Sequence, residues 1–249
     1  ARQRASGDIL GDEYASLLES PNNILAVEYI AAANLCKSSF ELNAVSRKGD
    51  GYNDEKYSGE SFASATAIRS LIRNGDDYSS LVPLNAKELY SGDFSDERRL
   101  ETAVLYALRR LSVNDIALAP DVSEGLENRI YSAVREACSV EDLLERIKTK
   151  RYPTARLRRI ILSLFLGIKA EYTQGTPPYI RILACNEKGK EILSAAKPKV
   201  PIISRASQIN ALDDRAKEIF KLECTADDIY ALSFSPAREC GADFKTKIF

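Results

Sequence analysis

The residues best suited to chemistry lie in one stretch, FASATAIRSLIRNGDD, which runs from Phe62 to Asp77. Ser64 or Thr66 can cap a helix, because a hydroxyl accepts a hydrogen bond from a backbone N–H of the first turn. Arg69 follows about one turn later, and Arg73 shares its face. A capped helix start beside an arginine attracts anions, most plausibly phosphate. The stretch is a candidate phosphate site, with an ordinary capped helix and solvated arginines as the alternative.

A second candidate is the basic segment 146–159, RIKTKRYPTARLRR, which contains no acidic residue. Its cations could neutralise several phosphates, and an exposed Tyr152 could stack on a nucleobase. The segment predicts RNA binding, with a solvated helix face and a buried Tyr152 as the alternative. The candidate RNA-binding residues are Lys148, Lys150, Arg151, Tyr152, Arg156, Arg158 and Arg159.

The elements that must position the phosphate site follow the order helix, strand, loop, helix, which is typical of a doubly wound α/β sheet. Asn22 or Asn23 can cap a largely buried helix, NNILAVEYIAAANLC. FELNAVSR (40–47) predicts a strand that ends at Arg47. Such sheets bind ligands beyond the carboxyl ends of strands and at helix N-termini. We therefore expect Asn22, Arg47 and the Ser64 helix start to share one edge of the sheet as a nucleotide or phosphate site.

The character of the chain changes after a polar linker near residues 76–97. Apolar stripes such as Leu126, Ile130 and Val134 predict a helical core, and Ser139 with Asp142 has the spacing of a capping box. Further on, PYIRILACN and KVPIIS predict two strands joined by a helix. A helix around Leu212 to Leu222 and a shorter one around Ile229 follow.

The fold class expected from these elements is α/β, in two domains. Residues 1–80 are expected to be the C-terminal part of a doubly wound, Rossmann-like domain. Residues 81–249 are expected to form a mainly α-helical domain with a small α/β appendix, which carries the candidate RNA-binding surface.

Composition narrows the classes of protein. The chain has 249 residues, 45% of them hydrophobic and 29% charged, with a net charge of −1, so any nucleic-acid surface must be local. No apolar run is long enough to span a bilayer. The five scattered cysteines suggest reduced thiols in a cytoplasmic protein. The absence of histidine removes histidine bases and metal ligands, and the absence of methionine suggests that the chain starts inside a longer protein.

Six strings in order resemble the bacterial tRNA(Met) cytidine acetate ligases of the HIGH-motif nucleotidyltransferase superfamily: SPNNILAVEYI, VSRKGDGYND, FASATAIR, DVSEGLENRI, IKTKRYPTARLRR and PPYIRILACNEKGKEIL. The resemblance implies that acetate is activated with ATP as acetyl-adenylate. It also implies acetylation of the exocyclic amine of the wobble cytidine in elongator tRNA(Met). Acetate, ATP with Mg²⁺ and this tRNA are the implied partners, in the cytoplasm, with no membrane and no tightly bound cofactor.

The resemblance also assigns site residues. The family's ATP-contacting asparagine and arginine fall on Asn22 and Arg47. The superfamily's phosphate-binding serine–arginine element falls on Ser64, Thr66 and Arg69. No catalytic residue and no metal ligand is assigned.

The sequence departs from this family at two places. The N-terminal, histidine-containing HIGH-type motif is not present, and Asn53 stands where the family usually has histidine. We therefore expect this chain to be an incomplete part of the enzyme and inactive alone. Two alternatives stay open: a nucleotidyltransferase that adenylylates a small metabolite, and a non-catalytic RNA-binding module. The basic segment argues against the first, and an upstream HxGH-type motif would argue against the second.

Overall fold

The structure is a computed structural model that describes residues 7–9, 11–18, 20–46, 62–87 and 93–245. The chain divides into two compact units, Ala1–Glu88 and Leu89–Phe249. The division expected from the sequence lies between residues 80 and 81. None of the helices in the described ranges combines the length and the apolar content needed to cross a membrane.

The first unit contains the helices α1 (Asp12–Leu17), α2 (Pro21–Leu35), α3 (Ala65–Asn74) and α4 (Leu84–Lys87). Helix α3 has the limits that the sequence predicts. Ser64 caps its start, and Gly75 ends it with a φ of +77°, a left-handed conformation that glycine adopts without a Cβ clash.

Helix α2 differs from its prediction in two ways. Ser20 stands at the N-cap and Pro21 is the first helical residue, where its fixed φ suits a helix, so neither Asn22 nor Asn23 is the cap. No residue of α2 is buried, and Leu35 is 84% exposed. The prediction of a largely buried helix is wrong, because apolar composition buries a helix only where a second surface packs against it.

Residues 40–46, predicted as part of the strand 40–47, form no strand. A strand is defined by ladder hydrogen bonds with a neighbour. Within the described residues, the segment has a bond from the Phe40 N–H to Ser38 Oγ at 3.1 Å but no ladder partner. Val45 is 93% exposed, as expected of apolar residues that pack on nothing. The strand prediction is therefore wrong over these residues.

The larger part of the second unit is helical, as the apolar stripes predict. A 3₁₀ turn (Glu97–Leu100) leads into α5 (Glu101–Arg109), α6 (Val113–Ala117), α7 (Leu126–Glu136), α8 (Val140–Ile147) and α9 (Thr154–Leu166). These helices close around one apolar core. Its largest fully buried side chains are Leu108, Ile116, Ile130, Val134, Leu143, Leu144, Ile147, Leu157 and Ile160.

The predicted capping box at α8 is half formed. Ser139 Oγ accepts a hydrogen bond from the Asp142 N–H at 3.0 Å. The Asp142 carboxylate accepts instead from the Cys138 N–H, at 3.1 Å. These bonds fix the start of α8, whose last turn carries Arg146, the first residue of the basic segment.

The predicted α/β appendix is present. Strand β1 (Ile180–Arg181) and strand β2 (Ile202–Ile203) pair in parallel, with Ile180 opposite Ile202, and α10 (Glu187–Ala195) connects them. A 3₁₀ helix (Ala206–Ala211), α11 (Asp214–Ala231) and α12 (Ala242–Lys245) follow. The two helices predicted around Leu212 to Leu222 and Ile229 are one helix, α11. A second core forms here from Tyr179, Ile203, Ile209, Ala216, Phe220 and Cys224.

Candidate nucleotide and RNA-binding sites

The start of α3 brings three of the predicted ATP-binding residues together. Ser64 is buried, and its Oγ accepts a hydrogen bond from the Ala67 N–H at 2.9 Å. Arg69 is exposed and donates from Nη2 to Thr66 Oγ1 at 3.2 Å. The guanidinium is thus held beside the helix N-terminus, where the helix dipole is positive. This arrangement can stabilise an anion from two directions.

The other two predicted ATP-binding residues are not part of this group. Asn22 is exposed in the first turn of α2, and within the described residues no hydrogen bond joins it to α3. Arg47 lies outside the described residues, as does Asn53. The shared edge expected for Asn22, Arg47 and Ser64 rested on a strand that residues 40–46 do not form.

Carboxylates from elsewhere in the second unit pair with most cations of the basic segment. The salt bridges are Arg146 with Glu136 and Asp142, both at 2.8 Å, Lys148 with Glu145 at 3.1 Å, Arg151 with Glu124, Arg158 with Glu141 at 3.3 Å, and Arg159 with Asp121 at 3.7 Å. All of these pairs are exposed, and exposed pairs are worth about 0–1 kcal/mol. A phosphate could therefore replace the carboxylates at little cost.

Tyr152 is not available for stacking in this structure. Its side chain is buried in the helical core, and its hydroxyl donates to the Ser123 carbonyl at 3.0 Å. The Arg156 guanidinium lies over the ring at 4.8 Å and donates to the Asp121 carbonyl at 2.7 Å. Tyr152 is therefore buried, as in the alternative that the sequence left open, and not exposed for stacking. Tyr152 instead anchors the loop that carries Lys150 and Arg151.

Arg129 holds the end of α8 through a contact that the sequence did not reveal. Its Nη2 donates to the carbonyls of Arg146 at 2.9 Å and Lys148 at 3.3 Å, at the end of α8. Lysine and arginine stabilise helix C-termini in this way. Arg129 lies 17 residues before Arg146, in another helix, so no local pattern in the sequence points to this contact.

The hydrogen bonds of Asp142 at the start of α8 also shift the pKa values of Asp142 and Arg146. The Cys138 N–H and the Arg146 guanidinium, in that order of importance, hold the pKa of the Asp142 carboxyl below its usual range. Arg146 in turn has a raised pKa because it is bonded to Asp142. These contacts keep Asp142 negatively charged beside Arg146, the first residue of the basic segment.

A second charged cluster lies in the appendix. Arg181 donates to Asp243 and, at 3.4 Å, to Glu223. Burial opposes ionisation of Asp243, but the bond and the charge of Arg181 outweigh it and lower the pKa of that carboxyl. Burial, followed by the charge of Asp243, raises the pKa of the Cys224 thiol to about 12. The cluster ties α12 to β1 and α11, and it includes the Cys224 thiol with its raised pKa.

Within the described residues, no three side chains among cysteine, aspartate and glutamate are grouped so that they could hold a metal ion.

A model of the HIGH Nucleotidyl Transferase family matches residues 1–243. The chain therefore belongs to the HIGH nucleotidyl transferase family.

Two relatives of this chain are identified more narrowly, as tRNA(Met) cytidine acetate ligases. The chain is 34% identical over 258 aligned residues to the tRNA(Met) cytidine acetate ligase of Thermoanaerobacter sp. strain X514, covering 98% of this chain and 63% of the relative. It is 31% identical to the same enzyme of Fervidobacterium nodosum, covering 100% of this chain and 66% of the relative. The chain thus spans slightly less than two thirds of the length of these relatives.

The chain is also similar to two solved structures of one protein, TmcAL. Apo TmcAL of Thermotoga maritima superposes with a TM-score of 0.81 at 29% identity, over 99% of this chain and 64% of that one. The same protein bound with alpha-thio ATP has a TM-score of 0.77 at 28% identity.

Proposed function

We propose that the chain is part of an ATP-dependent tRNA(Met) cytidine acetate ligase. In this reaction an acetate oxygen attacks the α-phosphate of ATP, and pyrophosphate leaves. The exocyclic amine of the wobble cytidine of elongator tRNA(Met) then attacks the acetyl-adenylate and releases AMP. The observation that carries the proposal is the similarity over nearly the whole chain to relatives named tRNA(Met) cytidine acetate ligase. The similarity to TmcAL, which has been solved with alpha-thio ATP, supports the use of ATP.

The first step places a specific demand on the protein. Charge on the phosphates must be stabilised by preorganised cations and N–H donors, while little covalent work falls to side chains. We propose that the α3 start meets this demand: Arg69 and Thr66 face the phosphates, and Ser64 fixes the helix end through its cap. Asn22 and Arg47 are proposed to complete the ATP site, and Mg²⁺ is proposed to enter with ATP.

The second step needs a surface for tRNA. We propose that Lys148, Lys150, Arg151, Arg156, Arg158 and Arg159 contact its phosphates, and that Tyr152 holds their loop. The segregation of cations in segment 146–159 supports this assignment, because such contacts supply most of the affinity for RNA backbones. Small substrates would have no use for this surface. We further propose that the enzyme works in the cytoplasm.

The experiment that tests the function follows radiolabelled acetate. The full-length enzyme and, separately, the 249-residue chain are incubated with ATP, labelled acetate and tRNA, and acetylcytidine in elongator tRNA(Met) is quantified together with AMP and pyrophosphate. In the full-length enzyme, label should enter the tRNA from acetate and not from acetyl-CoA, and the 249-residue chain alone should be inactive. Transfer from acetyl-CoA alone would refute the ligase proposal. Adenylylation of a small metabolite with no tRNA product would favour that alternative, and tRNA binding without any turnover would favour a non-catalytic module.

Two pairs of variants locate the sites within the same assay. Arg69→Gln should weaken ATP use roughly tenfold, the scale of a hydrogen bond to a charged group, whereas Arg73→Gln on the same helix should not. Lys150→Ala with Arg151→Ala should weaken tRNA binding and lower its salt slope by one to two units, roughly one per lost contact. Lys217→Ala with Lys221→Ala removes two exposed charges from α11 and serves as its control. Equal effects within either pair would contradict that site assignment.

A further inference from the structure

A large cavity lies in the appendix, far along the chain from both proposed sites. It has a volume of about 1100 Å³. Ile182 and Cys185, which follow β1, line it together with Ser204 and Arg205, which follow β2. The cavity therefore opens at the carboxyl ends of two parallel strands, the position at which α/β sheets bind their ligands.

The polar lining of this cavity favours an anion. Lys190, Arg205 and Lys245 supply three positive charges. The one carboxylate in the lining belongs to Asp243, whose side chain is 5% exposed and already bonded to Arg181. Hydroxyl and amide groups from Ser194, Ser204, Ser207 and Asn210 add hydrogen-bonding capacity.

The lysines already have carboxylate partners, and Arg205 does not. Lys190 pairs with Glu187 at 2.7 Å, and Lys245 pairs with Glu239 at 2.8 Å, both at exposed positions. Such pairs contribute about 0–1 kcal/mol, so a doubly charged phosphate can displace them. Within the described residues, no carboxylate forms a salt bridge with Arg205, which leaves its guanidinium the first contact for a phosphate.

The apolar lining favours a ligand that also carries a flat ring. Leu193 and Ile182 form part of the wall, and Phe244 stands at its edge. Phe220 contacts the Phe244 ring in a T-shaped arrangement with centroids 6.2 Å apart, yet 67% of Phe244 remains exposed. A partly held, exposed aromatic ring beside cations is the combination on which proteins stack nucleobases.

We propose that this cavity binds a nucleoside monophosphate unit, with its phosphate on Arg205 and Lys190 and its base against Phe244. The unit can be a free nucleotide or an unstacked nucleotide within a single-stranded RNA. The proposal rests on the cavity alone and does not depend on acetate activation or on the basic segment.

The test is a binding measurement on the 249-residue chain at low salt. CMP is titrated by calorimetry, and a short fluorescein-labelled single-stranded RNA is titrated by anisotropy, with CMP and inorganic phosphate as competitors. Lys190→Gln and Lys217→Gln form a matched pair, because each removes an exposed ion pair three residues apart within one helix of the appendix. Circular dichroism checks that both variants fold.

Lys190→Gln and Arg205→Gln should each weaken binding roughly tenfold, and Lys217→Gln should leave it unchanged. Phe244→Leu, which keeps apolar volume but loses the ring, should also cost roughly tenfold. Saturation by CMP identifies a free nucleotide as a sufficient ligand, whereas RNA binding that CMP cannot displace but that Lys190→Gln and Arg205→Gln weaken identifies a nucleotide within a chain. Absence of binding by both probes would overturn the proposal. Equal losses in Lys190→Gln and Lys217→Gln, unchanged affinity in Phe244→Leu, or competition by phosphate as strong as that by CMP would also overturn it.

Discussion

Helices α2 and α9 are similar in length and both rich in apolar residues, yet only α9 is buried. In α9, Leu157, Ile160, Ile161 and Leu164 lie on one face and are buried in the core, with arginines elsewhere on the helix. In α2, apolar residues surround the helix, and none of them is buried. The difference teaches that apolar content alone does not decide burial. Apolar residues on one side of a helix indicate which face packs against the core. Apolar residues on all sides do not indicate which face is buried.

A similar contrast between exposure and burial separates two cysteine thiols. Their difference in reactivity is the largest effect that we expect. Cys36, directly after α2, is exposed, whereas Cys224 is buried in the second core with a pKa of about 12. The thiolate is the reactive form, so the raised pKa and the restricted access of Cys224 both make it unreactive at about pH 8. Cys36 should react with Ellman's reagent in the native protein, and Cys224 only after denaturant is added.

Two serine variants assign the signals without mapping. Cys36→Ser should remove one thiol from the native reaction, and Cys224→Ser should remove one from the denatured total alone. Rapid loss of a native signal in Cys224→Ser would show that the second core opens readily.

A matched pair of truncations tests the difference between the helices directly. Leu157→Ala removes a side chain that is fully buried, and the cavity left behind should cost about 2–5 kcal/mol of the free energy of unfolding. Leu25→Ala in α2 removes a side chain that is 53% exposed, and it should cost no more than about 0.5 kcal/mol. Urea denaturation followed by circular dichroism measures both. A loss in Leu25→Ala as large as in Leu157→Ala would mean that α2 is covered in solution.

Local signals in the sequence predicted the local structure well. Ser64 and Gly75 set the limits of α3 because capping depends on a hydroxyl and a left-handed residue a few positions away. The strand–helix–strand order of the appendix and the apolar stripe of α9 were predicted for the same reason. Each of these signals lies within or directly beside the element that it predicts.

Features that depend on distant residues could not be predicted. The strand expected at 40–47 needed a neighbouring strand, and residues 40–46 have none within the described part of the chain. The carboxylates that pair with the basic segment come from as far as Asp121 and Glu124, so a segment without acids appeared more cationic than its surroundings are. The cavity beside Arg205 joins strand ends, α10 and α12, and no spacing in the sequence indicates that they meet.

The smallest expected effect tests whether the buried region also depends on its exposed polar contacts. The Cys138 N–H and Arg146 lower the pKa of Asp142, so the folded state favours the ionised carboxyl more than the unfolded state does. This contribution is fully present above the unfolded pKa of about 3.9 and is lost as the pH falls through the lower, folded pKa. Asp142→Asn should therefore destabilise the protein at pH 7, and the difference from the parent should shrink steadily at acidic pH. Asp214→Asn, whose carboxylate is 99% exposed, serves as the control and should cost little stability at pH 7. Urea denaturation at a series of pH values measures both, and a difference for Asp142→Asn that stays constant down to the acid limit would show that these contacts do not stabilise the start of α8.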